Sequence, residues 1–326
     1  MLQIELTDAI KSLKKIKAKK IMIQIPEGLK TNTENIVNEL EQKGYKVITS
    51  MDPCFGACDI KPTEAKQLQC DAILHIGHTK FIEKNNEKII YAPLKYKLKN
   101  FEETKNKITH YLLDNGFSFI GIVTTAQYLH YLPELKKHFK KNKIRAEILK
   151  GKRVENGQVL GCNYSSANGR AKTILYFGDG LFHPLGIHFG TKKEVIIFDP
   201  ILNTIKTLDQ EKNDFLKKRF LLIEKAKTAK SFAILVSTKI GQNRISIAEK
   251  IKKELEGAGK KVFICSMDYI SEEKLLGLEV DALINTACPR LSIDDFISYK
   301  KPLLNYNEVK YVLGKSYKNY KTEIIY

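Results

Sequence analysis

Long apolar runs are missing from this sequence, and that absence excludes whole classes of protein. None of the 326 residues belongs to an apolar stretch of membrane-spanning length, which would be roughly 18 residues or more. Strings such as residues 231–237 (SFAILVS) stop after one strand's length. The N-terminal segment MLQIELTDAIKSLKKIKAKK has a lysine-bearing amphipathic helix pattern without the apolar core of a secretory signal. No membrane partner is expected, and a cytoplasmic location is. Proline-rich and low-complexity linkers are also lacking, so any domains should pack tightly together. Zinc-finger spacing, a helix-turn-helix signature and an aromatic ribonucleoprotein pattern are absent, which argues against sequence-specific nucleic-acid binding. Neither a GxGxxG nor a P-loop stands between a strand and a helix.

What the chain does have is charge, with 55 Lys plus Arg against 37 Asp plus Glu and a formal net charge of +18. Such a field attracts nucleic acid or an acidic protein surface, and a protein partner is the expectation here. With 43% apolar and 28% charged residues, a chain of this length can bury a substantial core in two or three domains.

Apolar runs of strand length alternate with helical-period stretches from Lys20 onward, the pattern of α/β architecture with parallel sheets. The pattern repeats. The first unit reads strand at 20–25, helix at 29–43, and strands at 45–49 and 71–76. The second reads strand at 117–124, helix at 126–141, and strands at 145–149 and 173–177. The third reads strand at 231–237, helix at 245–256, and strands at 261–265 and 281–285. Aligning the last strands gives offsets of 101 and 210 residues. Helical linkers at 100–113 and 208–229 join the units, with boundaries near Lys105 and Gln210. Three related domains are expected, residues 1–105, 106–210 and 211–326, each a small parallel sheet flanked by helices.

Six cysteines in a cytosolic chain stay reduced, so position decides their purpose. Cys58 (DPCFGACDI) and Cys162 (VLGCNYSSA) lie in glycine-containing loops after the second strand of their units, 104 residues apart. Cys288 (NTACPRLSIDD) follows the last strand read for the third unit, and Pro289 stiffens its loop. Ligands gather at the carboxyl ends of parallel strands, so three loops could bring three thiols to one centre. Three thiolates on a four-iron cluster leave one iron open, whereas structural zinc takes four ligands at short spacings. Unrelated loop cysteines remain the alternative on spacing alone. Cys70 and Cys265 read as core residues. Cys54 forms C-x3-C with Cys58, similar to the start of the radical S-adenosylmethionine motif, but Lys61 stands where its third cysteine belongs. It reads as a spare thiol beside the centre. His75, His78 and His183 read as satisfied strand-end or loop residues outside any metal site, and Asp179 and Asp199 as caps or substrate contacts.

Around these loops the sequence resembles the diphthamide synthase family in its archaeal homodimeric form. The segments that carry the resemblance are PEGL at 26–29, PCFGACD at 53–59, HIGHT at 75–79, LGCN at 160–163, FGDGLFHPLGI at 177–187, FDP at 198–200, TKIGQ at 238–242 and ACPRLSIDD at 287–295. The resemblance implies that Cys58, Cys162 and Cys288 hold a 4Fe-4S cluster, one thiol from each of three domains in a pseudo-threefold arrangement. It implies that S-adenosylmethionine is cleaved on the methionine side of its sulfonium by an electron from the cluster. Methylthioadenosine leaves, and a 3-amino-3-carboxypropyl radical adds to an imidazole carbon of a histidine in translation elongation factor 2. A homodimer and an unidentified electron donor are implied as well. Lys239, Gly241, Gln242 and Arg290 are the candidate S-adenosylmethionine contacts: Gly241 permits close backbone approach, and Arg290 can pair with a carboxylate bidentately. Two other readings stand beside this one. They are a three-cysteine cluster acting as a non-radical Lewis acid, and a basic translation-associated binding module with structural cysteines.

Overall fold

The computed structural model describes residues 2–81 and 88–321. Three sheets form, each from its own third of the chain. The first holds β1 (Leu2–Ile4), β2 (Lys20–Gln24), β3 (Lys46–Ser50), β4 (Ala72–Gly77) and β5 (Ile89–Tyr96), with α1 (Thr7–Lys15), α2 (Thr33–Gln42) and α3 (Pro62–Gln67). The second holds β6 (Phe119–Thr124), β7 (Arg145–Glu147), β8 (Thr173–Phe177), β9 (Glu194–Asp199) and β10 (Thr204–Lys206), with α4 (Phe101–Asp114), α5 (Leu132–Lys141) and α6 (Phe182–Thr191). The third holds β11 (Ser231–Ser237), β12 (Lys261–Met267), β13 (Ala282–Asn285) and β14 (Leu303–Asn305), with α7 (Asp209–Lys227), α8 (Ile245–Gly257), α9 (Pro289–Ile293) and α10 (Val309–Val312).

One parallel order recurs in all three: β3-β2-β4-β5, β7-β6-β8-β9 and β12-β11-β13-β14. Antiparallel β1 and β10 add an edge to the first two sheets. The α/β class with parallel-rich sheets flanked by helices is therefore as the sequence implied. Continuous apolar runs make it so, because β2, β4, β8 and β11 are buried along nearly their whole length and such strands need cover on both faces. Helices supply that cover with one apolar face each: Ile36 and Leu40 on α2, Leu132, Leu135 and Phe139 on α5, Ala248, Ile251 and Leu255 on α8.

A side-chain device repeats along with the topology. Asp71 Oδ2 accepts from the backbone N–H of Lys19 and Lys20 at 2.7 and 2.8 Å. Asp281 does the same for Lys230 and Ser231, both at 2.8 Å. Each carboxylate satisfies donors at the start of its sheet's first parallel strand. In the second sheet Glu147 Oε1 accepts from Ala171 N at 2.9 Å instead.

The structure corrects the sequence reading in detail. Each sheet gains one more parallel strand, β5, β9 or β14, than the repeat read from sequence contains. Pro93 inside β5 argues against a strand, and β14 is only three residues long. The helices expected at 29–43 and 126–141 each open with a separate 3-10 turn, Glu27–Asn32 and Ala126–Tyr131. In α5 the proline at 133 sits in the first turn, where its missing N–H costs nothing. The helical linkers expected at 100–113 and 208–229 form as α4 and α7, which contain Lys105 and Gln210. Ile108 and Leu112 of α4 pack with Ile120 and Ile122 of β6. Phe215, Ile223 and Ala226 of α7 join a core that takes in both Tyr176 of β8 and Phe232 of β11, so apolar packing is continuous between the second and third sheets. Among the described residues no helix is long and apolar enough to cross a membrane.

Candidate functional site

Cys58 lies in the loop between β3 and α3, Cys162 in the loop after β7, and Cys288 at the N-cap of α9 directly after β13. All three therefore sit at the carboxyl ends of parallel strands, where ligands collect in such sheets. The loops meet. Cys162 is close enough to Cys288 and Cys58 for both to raise its pKa, and Cys58 raises that of Cys288. Desolvation by burial is the larger cause and pushes Cys162 and Cys288 up to about 12 and Cys58 upward too. All three are free thiols with some accessible surface. Left alone they stay protonated at neutral pH, and only a positive, soft centre would make three adjacent thiolates stable.

Among the described residues, these three sulfurs do not form a set within 4.8 Å of one another, as ligands of a single ion would at bonds of about 2.3 Å. A four-iron cube instead takes each thiolate at a different corner. Three free thiols on loops at strand carboxyl ends are a donor set chemically suited to such a group.

The glycine-bearing loop after β11 locks Cys58 in place. Gly241 N donates to Cys58 O at 2.9 Å, and a Cβ on Gly241 would stand 2.5 Å from Cys58 Cα. Gln242 Nε2 lies 3.3 Å from Cys58 Sγ as its hydrogen-bond donor. Lys239 Nζ pairs with buried Asp59 Oδ2 at 2.7 Å and with Asp268 Oδ2 at 3.4 Å. Burial raises the Asp59 pKa, against the pull of Lys239, so this lysine meets a buried carboxylate of the chain itself. Removing either member would strand a charge away from water.

Cys288 is pinned by its own neighbours. Asn285 Nδ2 donates to Cys288 O at 2.7 Å, and Arg244 Nη1 donates to the carbonyls of Thr286 and Ala287 at 2.9 and 2.7 Å. Deeper in, fully buried Arg219 donates to Glu308 Oε1 at 2.9 Å and to the Ser292 carbonyl, fixing α9 from below. Arg290 is exposed, pairs with Asp294 at 2.9 Å and lies 5.3 Å above the Phe182 ring. Beside Cys162, buried Asn163 closes a tight turn on Leu160 and donates to Lys152 O at 2.6 Å. Of the four candidate contacts, Gly241 and Gln242 touch the Cys58 loop, Lys239 is engaged with Asp59, and Arg290 faces solvent across from Phe182.

The structure also assembles a group that sequence reasoning kept apart. Cys54, His75 and His78 each offer a ligand atom within 4.8 Å of the others. His75 Nε2 and His78 Nδ1 are 3.0 Å apart. Burial depresses both imidazoles, to about 3 for His75 and about 4 for His78. The His-x2-His spacing was the available signal, but nothing local ties it to Cys54. Arg219 and Glu308, 89 residues apart, carry no sequence signal beyond a lone arginine among lysines.

Three matching parallel sheets, each with one of these cysteines on a loop at the carboxyl ends of its strands, define an α/β protein of repeated topology. A family model described as "Putative diphthamide synthesis protein" matches residues 25–323, and the chain belongs to that family. It is 36% identical over 314 residues to 2-(3-amino-3-carboxypropyl)histidine synthase of Pyrococcus horikoshii, covering 96% of this chain and 91% of that one. It is 32% identical over 313 residues to the enzyme of the same name in Methanocaldococcus jannaschii, covering 92% and 86%. The crystal structure of Dph2 from Pyrococcus horikoshii with a 4Fe-4S cluster superposes with a TM-score of 0.91 at 35% identity, covering 100% of this chain and 95% of that one. The expectation of an enzyme of this family holds.

Proposed function

We propose that the chain transfers the 3-amino-3-carboxypropyl group of S-adenosylmethionine to the imidazole carbon of a histidine in translation elongation factor 2, leaving methylthioadenosine. The observation that carries this reading is the placement of Cys58, Cys162 and Cys288 on strand-end loops near enough for Cys58 to raise the pKa of both others and for Cys288 to raise that of Cys162. These thiols would hold a 4Fe-4S cluster like that in the Pyrococcus horikoshii structure. When bound, such a cluster supplies a reducing electron and one iron free of protein ligands.

The chain's own residues then orient and exclude. Gln242 donates toward Cys58 Sγ and would temper the charge on that thiolate. Gly241 lets two loops from different sheets touch. Arg290 could exchange its partner Asp294 for the carboxylate of S-adenosylmethionine, held bidentately. Positioning of this kind decides which bond to the sulfonium lies in line for cleavage. Phe55 and Ile240, 54% and 44% exposed on the two neighbouring loops, offer apolar contact to a folded protein substrate. The three units act as domains, the enzyme works in the cytoplasm as a homodimer, and a separate protein delivers the electron.

The test is anaerobic reconstitution with iron and sulfide, followed by dithionite and S-adenosylmethionine with elongation factor 2 present. Methylthioadenosine and a factor heavier by one 3-amino-3-carboxypropyl group are the expected products. A brown, cluster-bearing protein that yields neither would overturn the reading and favour a Lewis-acid role.

A further inference from the structure

We propose that Cys54, His75 and His78 form a second metal site, for a single zinc-like divalent cation, beside the three-thiol centre and separate from it. The fold builds this site from two places. Cys54 comes from the β3–α3 loop, and Cys58 lies near enough to help raise its pKa. His75 lies in β4 and His78 just beyond its end. Between them Gly77 adopts a φ of +88°, which only glycine takes readily, and this turns the chain so that the two rings face each other. Their centroids are 5.1 Å apart.

The arrangement is poor as hydrogen bonding and good as coordination. His75 is fully buried, yet its Nδ1 has no hydrogen-bond partner among the described residues. The bond to His78 engages only Nε2, and coordination through that atom would likewise leave Nδ1 as it is, so the case for a metal rests on the spacing and type of the three ligand atoms. The 3.0 Å between His75 Nε2 and His78 Nδ1 is close to the roughly 3.3 Å that two imidazoles take on a tetrahedral ion with bonds of about 2.0 Å. Cys54, 2% exposed, brings its thiol within 4.8 Å of both. One thiol and two imidazoles are a borderline-soft set that suits zinc. Three protein ligands leave a fourth position for water or a donor atom of a substrate.

Cobalt(II) is the probe, because its colour reports thiolate and tetrahedral coordination. The triple variant Cys58→Ala, Cys162→Ala, Cys288→Ala cannot assemble the cluster, so any cobalt it binds tightly is held elsewhere. It should take up one cobalt per chain with a thiolate-to-cobalt charge-transfer band. Adding Cys54→Ser should abolish that band, and adding His78→Gln should weaken binding by about tenfold or more. No cobalt uptake by the folded triple variant, or a band that survives Cys54→Ser, overturns the proposal. If the triple variant does not fold, the native chain decides: loaded anaerobically with its cluster, exposed to zinc and desalted, it should retain one zinc per chain. Cys54→Ser should lose that zinc and keep its iron. A cluster-loaded native chain without zinc, or a Cys54→Ser chain that keeps it, counts against the site. Failure of cluster assembly in the native chain bears on the proposed function alone.

Discussion

Replacing Gly241 by alanine tests how the third sheet holds the Cys58 loop. The added Cβ would stand 2.5 Å from both Cys58 Cα and Cβ and 2.9 Å from Cys58 O. Ordinary carbon contacts are about 3.5–4.0 Å, and backbone atoms cannot swing aside as a side-chain tip can. The two loops must therefore part by about 1 Å, which breaks the 2.9 Å bond from Gly241 N to Cys58 O. Overpacking costs about 1–3 kcal/mol and the lost hydrogen bond about 1 kcal/mol, or about 2–4 kcal/mol together. The same movement displaces Cys58 Sγ from its place beside Gln242. Gly241→Ala should thus lose most of its iron after anaerobic reconstitution, read as iron per chain and cluster absorbance. The apo protein should melt several degrees lower, at roughly 2–4 °C per kcal/mol for a large domain. Gly257→Ala, with open space at its Cβ position, is the control and should keep full iron content. A Gly241→Ala protein with native iron content and an unchanged melting point would show that the close approach of the loops holds nothing in place.

Cys58→Ala, Cys162→Ala and Cys288→Ala should each deplete iron and turnover, Cys54→Ala should be intermediate at most for turnover, and Cys70→Ala and Cys265→Ala should cost only packing; full activity in Cys162→Ala alongside an inactive Cys54→Ala would mean a different triad. Arg219→Met leaves Glu308 charged and buried, with 0% exposure, so denaturant unfolding should show a loss of about 3–5 kcal/mol, and a loss under 1 kcal/mol would contradict the network described. Burial, helped by nearby Arg290, holds His183 at about 4 against an ordinary 6.5. The unfolded chain therefore binds the extra proton first, so stability is fully present above pH 6.5 and declines as pH falls toward 4, by up to about 3 kcal/mol. His183→Gln should flatten that decline in apo-protein melting curves, and an identical slope would remove His183 as the cause. If the charge of +18 steers elongation factor 2, raising ionic strength, with a Debye length of about 8 Å at 0.15 M, should slow modification at subsaturating acceptor while S-adenosylmethionine cleavage without acceptor changes much less; equal salt sensitivity would leave the charge without that role.

The parallel strands were legible in the sequence because burial on both faces demands unbroken apolar runs, and residues 20–24, 173–177 and 231–237 supply them. The repeat was legible because three copies of one topology keep strands, helices and loops at nearly constant offsets. Cysteine positions relative to that repeat made Cys58, Cys162 and Cys288 candidates, since each follows a strand, but spacing alone left unrelated loop cysteines open and it was the family resemblance that implied the triad. The strands β1, β10 and β14 were hidden, being three residues long, and short segments owe their state to the neighbour they pair with; β5 is interrupted by Pro93, while β9, six residues long, was missed without such a reason. Lys239 and Asp59 are separated by 180 residues, Arg219 and Glu308 by 89, and no local pattern links such pairs. The same holds for Cys54 and the two histidines, which lie on one strand end and one loop and meet only when the sheet forms. Residue type and spacing marked the loops after parallel strands as candidates, because local sequence sets strands and turns, while contact between loops of different sheets decided which side chains are already engaged, as Lys239 is with Asp59.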